Sequence, residues 1–322
     1  MTPDRPAGAA RWRGTETVIF LAVAAECAAF ALLSSRFLTL DNFVNVTLQI
    51  AIYGILAVGM TVVMISGGID LSIGSVVALV GVSSAILSKK PLLPPFLMVA
   101  AAIAAGLAVG LAVGALSGSL IARFAIAPFI VTLAMMTICR GVVFMLTGGF
   151  TEGELPAAFG ALGRGHVWIV PVPVIIMALL FLAGHAALHH TPFGRHVYAL
   201  GGNEEASRLS GIRVRRLKVM VYACNGLLAG LAGVTLAARL GAGAPNSGLQ
   251  YELDVIAAVV VGGTSLSGGR GSMLGTLAGT AFIGVLNNGL NLANVDPYTQ
   301  KVALGLVILT AVGLDRVNAA RR

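Results

Sequence analysis

Long apolar runs separated by short polar segments make up most of this sequence. A helix that crosses a bilayer needs roughly 20 mainly apolar residues. By that measure the pattern predicts ten helices, at 17–34, 43–66, 70–87, 95–118, 128–147, 170–188, 219–239, 252–264, 272–293 and 298–314. The eighth is short, and the third follows the second almost without a loop. The pattern therefore predicts an all-α polytopic membrane protein of about ten transmembrane helices, some of them short or broken.

The composition excludes a soluble globular protein. Hydrophobic residues make up 57% of the chain and charged residues only 11%, whereas soluble domains carry about 25% charged residues. Such a chain has too few polar side chains to cover a water-exposed surface. Glycines recur every fourth residue from Gly106 to Gly118 and from Gly271 to Gly279. This spacing predicts close helix packing, with a seam that moves during function as the alternative.

The net charge of +8 indicates membrane topology rather than nucleic-acid binding, because the basic residues lie almost entirely between the apolar segments. With ten helices and a cytoplasmic N-terminus, 14 of the 21 Lys and Arg residues fall on the cytoplasmic side, as the positive-inside rule requires. We therefore expect both termini in the cytoplasm. The predicted organisation is a basic cytoplasmic tail (1–16), a single transmembrane domain (17–314) with a cytoplasmic loop at 189–218, and a cytoplasmic tail (315–322).

Two glycine-rich segments interrupt the apolar pattern in a similar way, GGIDLSIG at 67–74 and GGTSLSGG at 262–269. Irregular backbone at membrane depth is tolerated only where it is buried in protein or lines a wet cavity. The likeness suggests an internal repeat, a feature that transporter folds commonly have. For Asp70, in the first segment, we expect a capping role at the start of the next helix. Contact with a transported substrate is the alternative.

Catalytic and nucleotide-binding motifs are absent from the sequence. None of the four lysines follows a glycine, so there is no P-loop, and no histidine precedes a glutamate as in a zincin motif. The sequence therefore predicts no enzyme, no metal site and no cofactor in this chain. Glu26 and Arg140 fall inside predicted helices, which makes them functional candidates. The simpler expectation is that they pair, or that Arg140 extends to the outer interface.

The loop between the sixth and seventh predicted helices contains a short helix signal. Asn203 is a good N-cap, and Glu204 and Glu205 in the first turn complement the helix dipole. Gly211 follows as a C′ glycine would. A short amphipathic helix at 203–211 is suited to the groove of a partner protein. An ordinary interfacial loop is an equal alternative.

Four motifs in order resemble the permease subunits of bacterial ATP-binding-cassette importers for ribose, xylose, arabinose and related monosaccharides. They are GGIDLSIG at 67–74, APFIVTL at 127–133, GNEEA at 202–206 and GGTSLSGGRG at 262–271. The resemblance covers 42–315. The sequence departs from the family pattern at Gln250, where glycine is usual, and this position bears on which sugar passes or on docking of a partner.

The resemblance implies a division of labour among subunits. Permeases of this family form a homodimer or heterodimer in the bacterial inner membrane, and a periplasmic protein delivers the sugar. A separate cytoplasmic ATPase binds ATP and Mg²⁺. The 203–211 helix matches the family's coupling helix, which contacts that ATPase. The residues expected at this contact are Asn203, Glu204, Glu205, Arg208, Leu209 and Gly211, while membrane lipid is an alternative partner for the neighbouring arginines.

The expected function is translocation of a pentose or related sugar by alternating access. The candidate path residues are Asp70, Asn287, Asn288 and Asn291, because sugars need hydrogen-bonding groups. A polar helix–helix contact is at least as good an explanation of the three asparagines. Glu152, Glu154 and Glu252 lie in predicted outer loops, where surface solvation competes with contact to the periplasmic protein. Alternative functions are transport of a polyol or a sugar-like signal, or an ion-coupled secondary carrier.

Overall fold

The structure is a computed structural model that describes the backbone of residues 7–90 and 92–320 and the side chains of residues 17–90 and 92–313. Two-residue strands, β1 (His166–Val167) and β2 (Val170–Pro171), pair in an antiparallel hairpin. The helices are α1 (Ala7–Leu33), α2 (Leu40–Ile65), α3 (Ile73–Ser88), α4 (Pro95–Phe124), α5 (Pro128–Thr147), α6 (Ala157–Arg164), α7 (Val172–His190), α8 (Pro192–Gly202), α9 (Glu204–Leu209), α10 (Val214–Leu240), α11 (Tyr251–Val261), α12 (Met273–Leu292) and α13 (Pro297–Ala320).

Each of the ten predicted apolar segments coincides with a helix, namely α1 to α5, α7 and α10 to α13. In the described part of the chain, six of these are long and apolar enough to cross a membrane: α2, α4, α5, α7, α10 and α12. Shorter apolar stretches lie at Thr17–Leu33 in α1 and Ile73–Ser88 in α3. The protein is therefore a polytopic helical membrane protein. α1 begins at Ala7, within the predicted tail, and α4 continues to Phe124.

α10 is the central helix, and glycines determine how closely α4 packs against it. A Cβ atom at Gly114 would overlap the backbone oxygen of Tyr222, and one at Gly110 would lie 2.5 Å from the oxygen of Gly226. In the other direction, Gly226 lies against the backbone of Gly114. The close packing predicted from the four-residue glycine spacing is confirmed. α12 meets α11 in the same way, since Gly279 lies against the backbone oxygen of Ala258.

Between α10 and α11 the chain returns into the bundle as irregular backbone, which we call the re-entrant segment (241–250). It runs beside α3, because a Cβ atom at Gly243 would lie 2.9 Å from the Cα atom of Val82 and Gly74 lies against the backbone oxygen of Gly248. α11 therefore begins inside the bundle and has 11 residues, about 16 Å of helix. The expected short helix is confirmed as a helix entered from within the membrane domain.

Two helices and the hairpin were not predicted from the sequence. α6 buries Phe159 completely, and a Cβ atom at its Gly163 would lie 2.7 Å from the Cα atom of Arg239 in α10. α8 begins after Thr191, whose hydroxyl accepts the N–H of Gly194, with Pro192 at its first position. Both helices are short and lack the long apolar run on which the prediction relied.

Candidate functional site

The loop between α7 and α10 folds into α8 and α9 as a compact helical pair. The side chain of Asn203 accepts the N–H of Ala206 at 2.9 Å and so caps α9. Gly211 adopts a left-handed φ of +84° after the helix, as glycine does at low cost. The predicted N-cap and C-terminal glycine are both confirmed. Sequence reasoning missed α8, although a Thr N-cap followed by Pro is a typical helix start.

α9 presents an exposed surface of mixed charge and apolar character. Leu209 is 81% exposed, and the exposed side chains of Arg208 and Glu205 lie 3.6 Å apart. Glu204 differs from these, because both of its carboxylate oxygens accept hydrogen bonds from Lys218 of α10, at 2.9 and 2.8 Å. Glu204 thus holds α9 against α10, while Glu205, Arg208 and Leu209 face outward. We call these three residues the α9 surface.

The end of α8 meets both glycine-rich segments at one point, which we call the glycine junction: Ile65, Gly67, Gly201, Gly202, Gly268 and Gly269. The N–H of Gly269 donates to the backbone oxygen of Ile65 at 2.8 Å. A Cβ atom at Gly201 would overlap that same oxygen and would lie 2.5 Å from the nitrogen of Gly269. Nearby, the hydroxyl of Tyr198 donates to the oxygen of Gly271 at 2.7 Å. The segment carrying α9 is thus attached directly to the two glycine-rich segments, which are breaks between membrane helices.

Asp70 is fully enclosed in the first of these breaks. One carboxylate oxygen accepts the N–H and the hydroxyl of Ser72, at 2.9 and 2.6 Å. The other accepts the side-chain amide of Asn225 in α10 at 2.8 Å. Ser72 is the N-cap of α3 and makes no capping bond with its side chain. The prediction that Asp70 caps α3 is wrong, because its carboxylate binds Ser72 before the helix begins and ties this break to α10.

The three candidate asparagines on α12 do not form one surface. Asn288 exchanges two hydrogen bonds with Asn42 of α2, at 3.1 and 2.9 Å. Asn291 accepts an amide hydrogen bond from Gln300 at 2.9 Å. Asn287 is half-buried on the same helix. For Asn288, the structure matches the polar helix–helix contact that the sequence left open.

Glu26 and Arg140 are not a pair, so that expectation is wrong. Arg140 is half-buried on α5, and its Nη1 donates to the backbone oxygens of Pro245 and Ser247, at 2.5 and 3.0 Å. It therefore serves the re-entrant segment, whose carbonyl groups have no helix to satisfy them. Glu26 lies on α1, and both its oxygens are buried without a hydrogen-bond partner among the described residues.

Glu152 is held by contacts within the protein. Its carboxylate pairs with Lys89 at 2.6 Å, and its backbone exchanges two hydrogen bonds of 2.9 Å with Gly243. The loop after α5 is thereby fixed to the start of the re-entrant segment. The expectation that Glu152 is only solvated at the surface is therefore incomplete.

The family comparison matches a permease. Residues 42–312 fit the family described as the permease component of a branched-chain amino acid transport system. The chain belongs to this permease family. The matched range begins in α2 and ends in α13, so it contains the glycine junction, the α9 surface and the re-entrant segment.

Curated relatives match over nearly their full length. The ribose import permease protein of Bacillus subtilis is 49% identical over 294 residues, covering 90% of this chain and 89% of the relative. That of Escherichia coli K12 is 46% identical over 290 residues, covering 88% of each chain. The L-arabinose transport system permease protein of Escherichia coli K12 is 38% identical over 299 residues, covering 93% of this chain and 89% of the relative. No solved structure matches the chain.

Proposed function

We propose that this chain is the membrane-spanning subunit of an ATP-driven importer that carries ribose or a closely related monosaccharide into the cell. The observation that carries the proposal is identity of 44–49% with ribose import permeases from three genera, over most of each chain. Permeases named for arabinose and xylose are 38% and 36% identical. The higher identity to the ribose proteins favours ribose among the three pentoses.

In this proposal the α9 surface is the docking point for a cytoplasmic ATPase. Leu209 supplies an exposed apolar contact, and Arg208 and Glu205 supply charges of both signs beside it. ATP and Mg²⁺ bind the ATPase. Lys218 holds Glu204, which keeps α9 attached to α10. Movement of the ATPase is passed through α8 to the glycine junction.

The remaining parts of the proposal concern assembly. Ten helices cross the bacterial inner membrane with both termini in the cytoplasm, which places α9 on the side where 14 of the 21 basic residues lie. Two permease copies, identical or different, enclose the path, and a periplasmic sugar-binding protein delivers the cargo. Support comes from the coincidence of the ten apolar segments with ten helices and from the family membership.

Reconstitution tests the function directly. The chain is co-expressed with the ATPase and binding protein encoded by its host, and uptake of labelled ribose, arabinose, xylose, a polyol and leucine into proteoliposomes is compared with and without ATP. Leucine is included because the family description names branched-chain amino acids. ATP-dependent ribose uptake in excess of the others supports the proposal. Uptake driven by a proton gradient without ATP would overturn it in favour of a secondary carrier.

The docking surface has its own test. In the triple variant Glu205→Ala, Arg208→Ala, Leu209→Ala we expect the ATPase to be lost on mild purification. The matched control is Lys90→Ala with Leu92→Ala, an exposed charge and a leucine that is 73% exposed in the loop between α3 and α4. Retention of the ATPase by the triple variant would show that α9 is not the docking point.

A further inference from the structure

Polar side chains are exposed near the middle of the membrane domain, where the re-entrant segment joins α11. The depth follows from α10, a helix of 27 residues. Asn225 of α10 binds Asp70 just before α3. Eight residues later in α10, a Cβ atom at Gly233 would lie 2.6 Å from the backbone oxygen of Val77. Gly74, which contacts Gly248, lies between Asp70 and Val77 in the chain. The end of the re-entrant segment is thus level with the central turns of α10.

At this depth one flank of the segment is open. Asn246 and Gln250 are exposed, and Leu249 and Leu253 beside them are 60% and 45% exposed. Amide groups and irregular backbone facing hydrocarbon are costly, since lipid offers no hydrogen bonds. This flank must therefore face water or protein rather than lipid.

Gln250 occupies a backbone conformation that ordinary side chains avoid. Its φ is +68°, in the left-handed region where glycine is the least strained residue. Non-glycine residues in such conformations concentrate at functional sites. Glycine would relieve the strain, so the amide side chain of Gln250 stands at this position at a conformational cost.

α5 contributes polar groups beside the same flank. Arg140 contacts the oxygens of Pro245 and Ser247 on either side of Asn246. Among the described residues it donates only through Nη1, so Nε and Nη2 remain as donors. Thr137, three residues earlier on the same side of α5, is exposed. Donors and acceptors from two elements are thus gathered on one open surface.

We propose that Asn246 and Gln250, with Arg140 and Thr137 of α5, form the surface that contacts the sugar as it crosses the membrane. The proposal rests on the proposed sugar transport and names the residues that serve it. A sugar hydroxyl both donates and accepts, and a side-chain amide offers one group of each kind. A monosaccharide carries both polar hydroxyl groups and apolar C–H groups, and two amides beside two exposed leucines offer contacts to both. This surface replaces the asparagines of α12 as the central part of the path.

Thiol labelling tests whether the surface is wet. Single cysteines replace Gln250, Asn246 or Leu182 in a chain whose Cys27, Cys139 and Cys224 are changed to serine. Leu182, 67% exposed on α7, is the lipid-facing control. We expect a charged, water-soluble methanethiosulfonate to modify Gln250→Cys and Asn246→Cys in the complete complex, more slowly with saturating ribose, and not Leu182→Cys. Labelling no faster than at Leu182, or a disulfide between two copies without labelling, would overturn the proposal.

Transport kinetics provide the second arm. Gln250→Gly removes the amide and suits the left-handed backbone, so folding is preserved. We expect the KM for ribose uptake to rise about five- to tenfold, as one lost hydrogen bond would cause. The control is Ser119→Ala, an exposed hydroxyl on α4. If the wild-type complex carries ribose and Gln250→Gly carries it equally well, the proposed surface is wrong while the transport function stands. If the wild type carries no ribose, the function fails, and water accessibility of Gln250→Cys still decides whether this surface lines a path.

Discussion

Arg140 shows how a single charged residue is used inside this bundle. Its guanidinium binds two backbone oxygens of the re-entrant segment, which have no intrahelical donor. Asp70 does the equivalent for the break before α3, by accepting hydrogen bonds from Ser72 and Asn225. Charge at membrane depth therefore stabilises irregular backbone in both places, which agrees with the rule that such backbone must be satisfied by protein.

Replacing Arg140 tests this role. Arg140→Ala leaves the oxygens of Pro245 and Ser247 without their donor, and we expect a loss of about 1–3 kcal/mol of stability. Arg140→Lys, which keeps a charge and donors but not the planar fork, is expected to lose less. Thermal unfolding of the detergent-solubilised protein measures both, with the exposed Arg123→Ala as control. Equal unfolding temperatures for Arg140→Ala and Arg123→Ala would contradict the assignment.

What sequence reasoning can find at this scale depends on the distance between partners along the chain. The cap at Asn203 involves Ala206, three residues away, and was predicted correctly. The partners of Arg140 lie 105 and 107 residues away, and Asn225 lies 155 residues from Asp70. A local pattern contains no information on such pairs, so the expected pairing of Arg140 was wrong. The expected cap at Asp70 failed for a local reason, because its carboxylate binds Ser72, two residues away.

Between elements, the glycine junction is the narrowest contact. The backbone of Gly201 touches that of Ile65 and Gly269 so closely that a Cβ atom does not fit. At Gly201, α8 therefore bears on α2 and on the loop before α12 through main-chain atoms, and nearby Tyr198 adds a side-chain hydrogen bond to Gly271. A contact without flexible side chains transmits a displacement with little loss, because packed backbone cannot yield by changing rotamer.

Gly201→Ala provides a direct test with a matched neighbour. The added methyl group forces the junction apart, at a cost of about 1–3 kcal/mol, and we expect ribose uptake to fall more than ATP hydrolysis because the two become uncoupled. Gly202→Ala is the control, since a Cβ atom there has nothing within 4 Å. Uptake per ATP hydrolysed, measured in proteoliposomes, compares them. Equal ratios in the two variants would exclude a coupling role for the junction.

The elements themselves were predicted unevenly, and the presence or absence of an apolar run explains most of the difference. Every helix with a long apolar run was found, because a membrane helix is specified by composition over many residues. α6, with 8 residues, and α8, with 11, lack such a run, whereas α11 also has 11 residues but is mostly apolar and was predicted. The composition of α6 and α8 is therefore weak evidence for a helix, and only local start signals remain. For α8 these are Thr191 and Pro192, which together mark its first turn.

For the whole molecule, orientation is the property that joins these observations into a transport mechanism. The α9 surface serves an ATPase only if it lies in the cytoplasm, and the loop containing Leu92 then lies on the opposite side, after the outward course of α3. The basic residues around α9 and the start of α10 favour that orientation. The loops on the opposite side carry fewer basic residues than the α9 side, and Lys89 among them is paired with Glu152.

Cysteine accessibility in oriented vesicles tests the orientation. In the chain with Cys27, Cys139 and Cys224 replaced by serine, Leu92→Cys and Leu209→Cys introduce thiols at two exposed sites, 73% and 81% exposed in the native residues. We expect a membrane-impermeant maleimide to label Leu92→Cys in right-side-out vesicles and Leu209→Cys only after inversion or permeabilisation. The reverse result would place α9 outside, where no ATP-driven partner could reach it, and the coupling role of the α9 surface and of the glycine junction would fall together. Labelling of both sites in sealed right-side-out vesicles would place Leu92 and Leu209 on the same side. The chain would then cross the membrane an even number of times between them, and not the odd number that the proposal requires.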